Sequence, residues 1–505
     1  MNHLLCGLAA NEALPPHLVD RLIAVADTEV AEALAVRPDL RHEQAVALVA
    51  RDGETAQRLA YEGRLTAADI DPGTHPDAAL ALLDRREGRP EWARLLATHP
   101  RVAYRASLAA CAGLPSDVVE TLATDPDVRV VAELALWTTA DTAAALARHP
   151  HAEVRRAVAA NEATPPAVLA ALITGEGLPP ARWCLVCARE RPPFVHPASC
   201  PRRDCDLRPG DSCDGSHDST VHLMRQMALR NPATPTRAVV GFADHPSSRL
   251  RRDLAARPDL PPEVSERLAA DAAPAVRADL ARNPAIGGPL IRAMAGDPDQ
   301  DVRRALAHHP HVPLDVLGRL AGTTRLGPAL LPRIATASPY EVEELTSSPD
   351  PEVRMLLARR RDLPAGIRDR LAADPDAKVA NSVAPHPGLS EATLRATVGR
   401  HGVQVVAAVA TNPDVTPALL EELTGHRPPV RKALRAVAQH ARATAPALLA
   451  CLADRQARPL AAGHPALPPP VVVELLTDAD PATAEAAAAN PSLPPAVMAD
   501  LVPRP

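Results

Sequence analysis

The chain has 505 residues, of which 56 are proline, about 11% against a usual ~5%, and its only aromatic residues are three Trp, three Tyr and two Phe. So few rings exclude one large core, because aromatic side chains normally carry much of a core's buried area. The apolar fraction of 46% excludes a disordered, highly charged chain, and the net charge of −6 supplies no global attraction to nucleic acid or anionic lipid. No apolar run approaches the ~18 residues of a membrane span. The expectation is many thin cores built from Ala, Leu and Val.

At the start of the chain, Leu4, Leu5, Cys6, Gly7 and Leu8 form a short apolar patch without a basic segment ahead of it. That pattern is not a signal peptide and reads as the end of a repeat, so a cytoplasmic location is expected. The basic residues are nearly all Arg; the lysines are Lys378 and Lys432.

A period organises the rest. Pro232, Pro258, Pro284 and Pro310 are each 26 residues apart, and Leu254, Leu280 and Leu306 keep the same step. Val276 to Val302 repeats it, as do Val353, Val379 and Val405, Pro387 to Pro413, and Pro465 to Pro491; Pro126 to Pro150 is 24. Fixed self-similarity of this length is the mark of a solenoid. In the unit Asp297–Leu320, Asp297-Pro298-Asp299 predicts a capped helix start, and Val302 and Leu306 fall on one helical face. Pro310 predicts the stop near His309, and Pro313 opens a second short helix with Val316, Leu317 and Leu320 facing inward. Neither helix can bury its stripe alone, so neighbouring units must stack.

The phrase D-P-x-x-x-V-R-x-x-L-A-x-x-P-x-L-P-P-x-x-L-x-x-L, nearly whole at Asp350–Leu371 and Val276–Met294, resembles the leucine-rich repeat variant family. The resemblance implies a right-handed solenoid of alternating α and 3₁₀ helices; the slightly longer units keep a HEAT-like pair of α-helices open. The fold expected is an all-α right-handed solenoid of about 17–19 two-helix repeats of 24–26 residues, interrupted by a Cys-rich loop. The domains expected are N-terminal repeats 1–175, a Cys-rich insert 176–220 and C-terminal repeats 221–505. The pattern weakens at 51–100 and 321–345, as bent repeats or as hinges.

Two columns run along the repeats. Arg155, Arg251, Arg277, Arg303, Arg354 and Arg431 follow inward valines, with Glu153, Asp301 and Glu352 just ahead. A ladder of acid–Arg pairs is favoured over an anion-binding groove, because no aromatic stacking residues accompany the column. His-Pro recurs at His99, His149, His245, His309, His386 and His464, with Asn231, Asn283, Asn412 and Asn490 in sister units, which predicts a turn role at helix ends. Cys6, Cys111 and Cys451, isolated within helices, read as small buried apolar residues.

Asn161 and Pro232 are 71 residues apart, about 19 more than two 26-residue steps. The surplus holds Cys184, Cys187, Cys200, Cys205 and Cys213, spaced C-x2-C-x12-C-x4-C-x7-C. A C-x2-C pair lets two thiolates converge on one ion and a second pair completes a tetrahedral set. The Pro-rich loop needs ordering that metal can supply, and Trp183 and Phe194 are candidates for an apolar cover. The ligands expected are Cys184, Cys187, Cys200 and Cys205, with Cys213 and His217 as replacements; zinc with four thiolates, or three with His217 or His196, competes with an iron–sulfur cluster. Members of the resembled family can carry a cysteine-bound 4Fe-4S module, at the N-terminus. Cys213-Asp214-Gly215-Ser216-His217 is similar to the tail of the CDGSH signature, whose Cys and His bind a 2Fe-2S cluster, but the upstream half departs from it. The repeat-family resemblance leans the expectation slightly to an iron–sulfur cluster, 4Fe-4S, over zinc.

There is no G-x-S-x-G, P-loop or G-x-G-x-x-G, and His42-Glu43 lacks a second zinc-binding His. The function expected is a non-enzymatic scaffold with a protein partner. The alternatives are an iron–sulfur redox- or iron-responsive regulator and, less favoured, a nucleic-acid-binding solenoid.

Overall fold

A computed structural model describes residues 2–185 and 217–503. Among the described residues there are thirty-five α-helices and three short 3₁₀ helices, and no strand beyond an isolated bridge between His151 and Trp183. The chain is an all-α stack of two-helix repeats. Most second helices are α, as in Pro262–Ala269 and Ala365–Ala372, so the α/3₁₀ alternation implied by the resemblance is not the rule here. Apolar residues four apart, such as Val264 and Leu268, suit α geometry.

Residues that repeat in sequence become the layers of the core. Val302, Leu306, Val316, Leu317 and Leu320 are buried, as their spacing predicts; full burial of each such side chain stabilises by roughly 1.5–3 kcal/mol. The helix start differs from the prediction by two residues. Asp299, not Asp297, caps Gln300–Ala307, accepting from the backbone N–H groups of Asp301 at 2.8 Å and Val302 at 3.3 Å. Asp297 is left for a task between repeats.

That task is the Arg column. Arg277 Nε donates to Asp297 Oδ2 at 2.7 Å, and its other nitrogens bond Asp297 Oδ1 and its own repeat's Asp271 carbonyl. Arg105–Asp125, Arg251–Asp271 and Arg354–Asp374 repeat the arrangement at 2.6–2.7 Å, each acid twenty residues on. The partner is the Asp of the next corner, not the acid just ahead of the Arg. Arg303 meets Thr324 Oγ1 at 3.1 Å instead, and Arg431 is 85% exposed and 3.9 Å from Asp454.

A second ladder runs along the other corner. Asn283 Nδ2 donates to the Ala255 and Arg257 carbonyls of the preceding repeat at 2.8 and 2.6 Å, while its Oδ1 accepts the Ala285 N–H. Asn231, Asn412 and Asn490 do the same in their repeats, and Arg257 and His309 fill equivalent places. The turn role predicted for His and Asn is thus realised. The His-Pro phrase, however, falls at two corners: His99, His149 and His245 precede first helices, where sister units carry Asp125, Asp271 and Asp297.

The described residues form two compact units, Met1–Leu65 with Pro328–Pro505, and Thr66–Gly327. Both boundaries fall within the stretches where the repeat pattern weakens. In the first unit the helix Asn2–Ala10 packs on Pro481–Ala488. Asn11 Nδ2 donates to Ala488 O at 2.9 Å and Asn490 O at 2.8 Å, which continues the corner ladder from the last repeat to the first. Gly7 permits this approach, since a Cβ there would lie 2.8 Å from that of Ala488.

In the second unit, Ala152–Ala160 packs directly on Asp218–Arg230, and Asn231 donates to Asn161 O at 2.9 Å. One repeat step, not two, therefore separates these corners. The insert is about 45 residues longer than an ordinary connection, in place of the surplus of about 19 expected.

Replacing Asn283 by Ala leaves two buried carbonyls without a donor and is expected to cost about 1–3 kcal/mol. Urea unfolding should show a lower midpoint, and amide exchange should quicken around 255–283 first. A midpoint equal to that of the parent would show that the corner bonds contribute nothing.

Candidate functional site

The two ends of the insert reach one corner of the stack. Trp183 O accepts the Ala152 N–H at 2.8 Å, and Arg182 N–H donates to Pro150 O at 2.8 Å, so the departing chain is pinned beside the start of Ala152–Ala160. Cys184 is buried against Ala152, with Ala181 beside it. Trp183 is 49% exposed and does not seal this contact. On the returning side, His217 is buried with φ of 59° and immediately precedes Asp218–Arg230. Thr220 Oγ1 donates to Glu153 Oε1 at 3.4 Å, which holds the first turn of that helix on the same corner.

His151 stands between them. It is buried, its Nδ1 accepts the Glu153 N–H at 3.3 Å, and its Nε2 has no hydrogen-bond partner. Burial, then the neighbouring His149 and His217, push its pKa down to about 4, so the ring is neutral at pH 7. Glu153 is also buried and pairs with Arg156 at 2.8 Å. Sequence reasoning missed His151 and Glu153 at this site, because both read as ordinary repeat residues.

Of the six candidate ligands, the structure brings Cys184 and His217 to this corner. Cys187, Cys200, Cys205 and Cys213 lie outside the described residues, as do His196 and Phe194. Among the described residues no three His, Cys, Asp or Glu side chains are arranged to hold a metal. Cys111 and Cys451 are buried as expected, and burial raises them to about 12 and about 11, whereas Cys6 is only half-buried. No described helix is long and apolar enough to cross a membrane.

Among solved structures, the chain is similar to a leucine-rich repeat variant with a repetitive structural motif, at 16% identity over 64% of this chain and 87% of that one, with a TM-score of 0.25. Importin beta matches at 13% identity over 95% of this chain and 61% of that one, with a TM-score of 0.22. A structure of the Pds5–Scc1 complex matches at 12% over 92% and 60%, with a TM-score of 0.14. No protein-family model and no curated protein matches the sequence.

Several histidines are held neutral by the stack. Burial first, then His245 and nearby arginines for His222 and Arg361 and Arg368 for His386, takes both from an ordinary 6.5 down to about 4, and burial lowers His309 as well. The unfolded chain therefore takes up more protons below pH 6.5, so stability is full above that value and falls as pH drops toward 4. The ladder acids Asp271, Asp297 and Asp374 lie below their ordinary 3.8 and stay ionised throughout that window. The melting temperature is expected to fall by several degrees between pH 7 and pH 4.5, and less so in His386→Asn. A flat profile would contradict this account.

Proposed function

We propose that the chain is a non-enzymatic interaction scaffold in the cytoplasm, with a protein partner and a metal-bearing insert at 176–220. The observation that carries this reading is the stack beneath the insert. Because Asn231 bonds the Asn161 carbonyl directly, the repeats on either side of the insert run on as one support. The paired Arg column supports a structural ladder over a nucleic-acid groove, since the guanidinium groups of Arg105, Arg251, Arg277 and Arg354 are engaged by aspartates.

The metal reading is supported by the chemistry of the corner. A buried thiol and a buried imidazole arrive there from opposite ends of the insert, beside a neutral His151 whose Nε2 lacks a partner. Thiol and imidazole donors fit zinc or an iron–sulfur cluster. Cys184 would hold the group together with Cys187, Cys200 and Cys205, with Cys213 and His217 as replacements. When bound, it would supply the ordering that a Pro-rich loop cannot supply itself. The regulator reading, in which cluster loss changes the curvature between repeats flanking the insert, has less support, because Asn231 already ties those repeats directly to the Asn161 carbonyl.

Metal content with an absorption spectrum on anaerobically purified protein tests this. Iron with sulfide and a broad visible band, or one equivalent of zinc without colour, is expected. Cys184→Ser should lose the metal and expose 175–225 to limited proteolysis, while the flanking repeats resist. Purified protein with neither metal, or a Cys184→Ser variant as resistant at 175–225 as the parent, would overturn the metal-bearing insert.

A further inference from the structure

The first unit contains a second site, at one step of its stack. A groove of about 540 Å³ lies across the first helices Pro351–Leu357 and Ala377–Val383, with polar walls of Arg359, Arg361, Lys378, Asn381, Gln404 and His386. That volume suits a small molecule. Arg359 Nη1 donates to Ala329 O at 3.3 Å, and Lys378 pairs with Glu352 at 2.7 Å. No carboxylate lines the groove itself, although Glu352 beside it pairs with Lys378 and attracts Arg359.

These cations break the repeat. Arg361 stands eight residues after Val353, where sister units place Pro284, Pro310, Pro387 and Pro413 eight after their own valines. Lys378 precedes Val379 where Glu153, Asp301 and Glu352 precede theirs, although Arg129 and Arg249 stand at the same place before Val130 and Leu250; it is one of two lysines in the chain. Two departures from the pattern, both toward positive charge, meet in one groove.

His386 is the third departure. At the same corner His309, His440 and His464 each accept, at Nδ1, the N–H two residues on, at 3.0–3.1 Å. For His386 that N–H belongs to Gly388, which donates instead to Asp414 at 2.6 Å. His386 is 2% exposed and its Nδ1 has no partner. Its neutral ring, lowered by burial and by Arg361 and Arg368, can donate one hydrogen bond to an acceptor in the groove.

We propose that this groove binds a small organic phosphate, with Arg359, Arg361 and Lys378 on the phosphate oxygens and Asn381, Gln404 and His386 on the remaining polar atoms. Guanidinium groups suit phosphate through their planar, forked donors. An extended acidic peptide would call for a continuous row of cations along the stack, whereas Arg361, Lys378 and Arg359 meet in a single groove.

Titration calorimetry of the full chain with ADP, with pyrophosphate and with an oligoglutamate peptide tests the proposal at low ionic strength. Saturable binding of ADP or pyrophosphate is expected, weakening steeply with salt. Arg361→Pro, which restores the residue that sister repeats use, should keep the fold and weaken binding at least tenfold. Lys378→Glu, again the sister residue type, should do the same, while Arg304→Ala, in another repeat, should change nothing. Absence of saturable binding by either phosphate, equal affinity in Arg361→Pro, or tighter binding of oligoglutamate than of ADP would overturn it.

Discussion

The structure rests on a hydrogen bond from an asparagine, histidine or arginine side chain to the carbonyl that ends the helix of the preceding repeat. Short helices expose a large fraction of unpaired backbone groups, because every end leaves carbonyls without an internal donor. With helices of about two turns, a stack of this kind would accumulate buried, unsatisfied carbonyls at each corner. Asn283, Asn412 and Asn490 remove two per repeat, and their Oδ1 atoms simultaneously fix the turn that leads to the next helix. The Arg–Asp bonds at the opposite corner act alike: each guanidinium joins its own repeat's turn to the acid of the next. Apolar burial drives the layers together, and these two rows set the spacing between them.

Much of this was legible in the sequence. The 26-residue step, the two helices, their inward residues and the structural role of the Arg column all follow from positions that recur. What escaped was the geometry between repeats. The phrase His-Pro reads the same at two corners, yet His245 opens a first helix and His309 closes one. Asp297 looks like a cap because it precedes Pro298, but the side chain two residues later lies closer to the free N–H groups of the first turn. The length of the insert was misread for a similar reason: no residue in the sequence says that Asn161 and Asn231 are neighbours.

At the candidate metal corner, the cysteines were conspicuous by spacing alone, whereas His151 was not. Its role emerges from burial and from a ring nitrogen without a partner, neither of which leaves a mark in the sequence. The groove at Arg361 is the converse. Its residues could have been picked out by comparing each repeat with its sisters, since the signal is a departure from a pattern and not a motif. In repeat proteins the recurring residues describe the fold, and residues that fail to recur are where a ligand or partner is to be sought.

The contact between Asn2–Ala10 and Pro481–Ala488 alters how such a chain must be assembled. A solenoid ordinarily grows by neighbour-to-neighbour docking, and each repeat finds its support as soon as the next is made. Asn11 and Asn490 are 479 residues apart. Closing so long a loop adds little free energy, because the entropic cost grows only with the logarithm of length. The delay is substantial, however. At ~5–20 residues per second the ribosome needs roughly half a minute to a minute and a half between them. For that interval the side of Asn2–Ala10 that Gly7 lays against Pro481–Ala488 waits uncovered, although its other side can already pack on Thr28–Ala35.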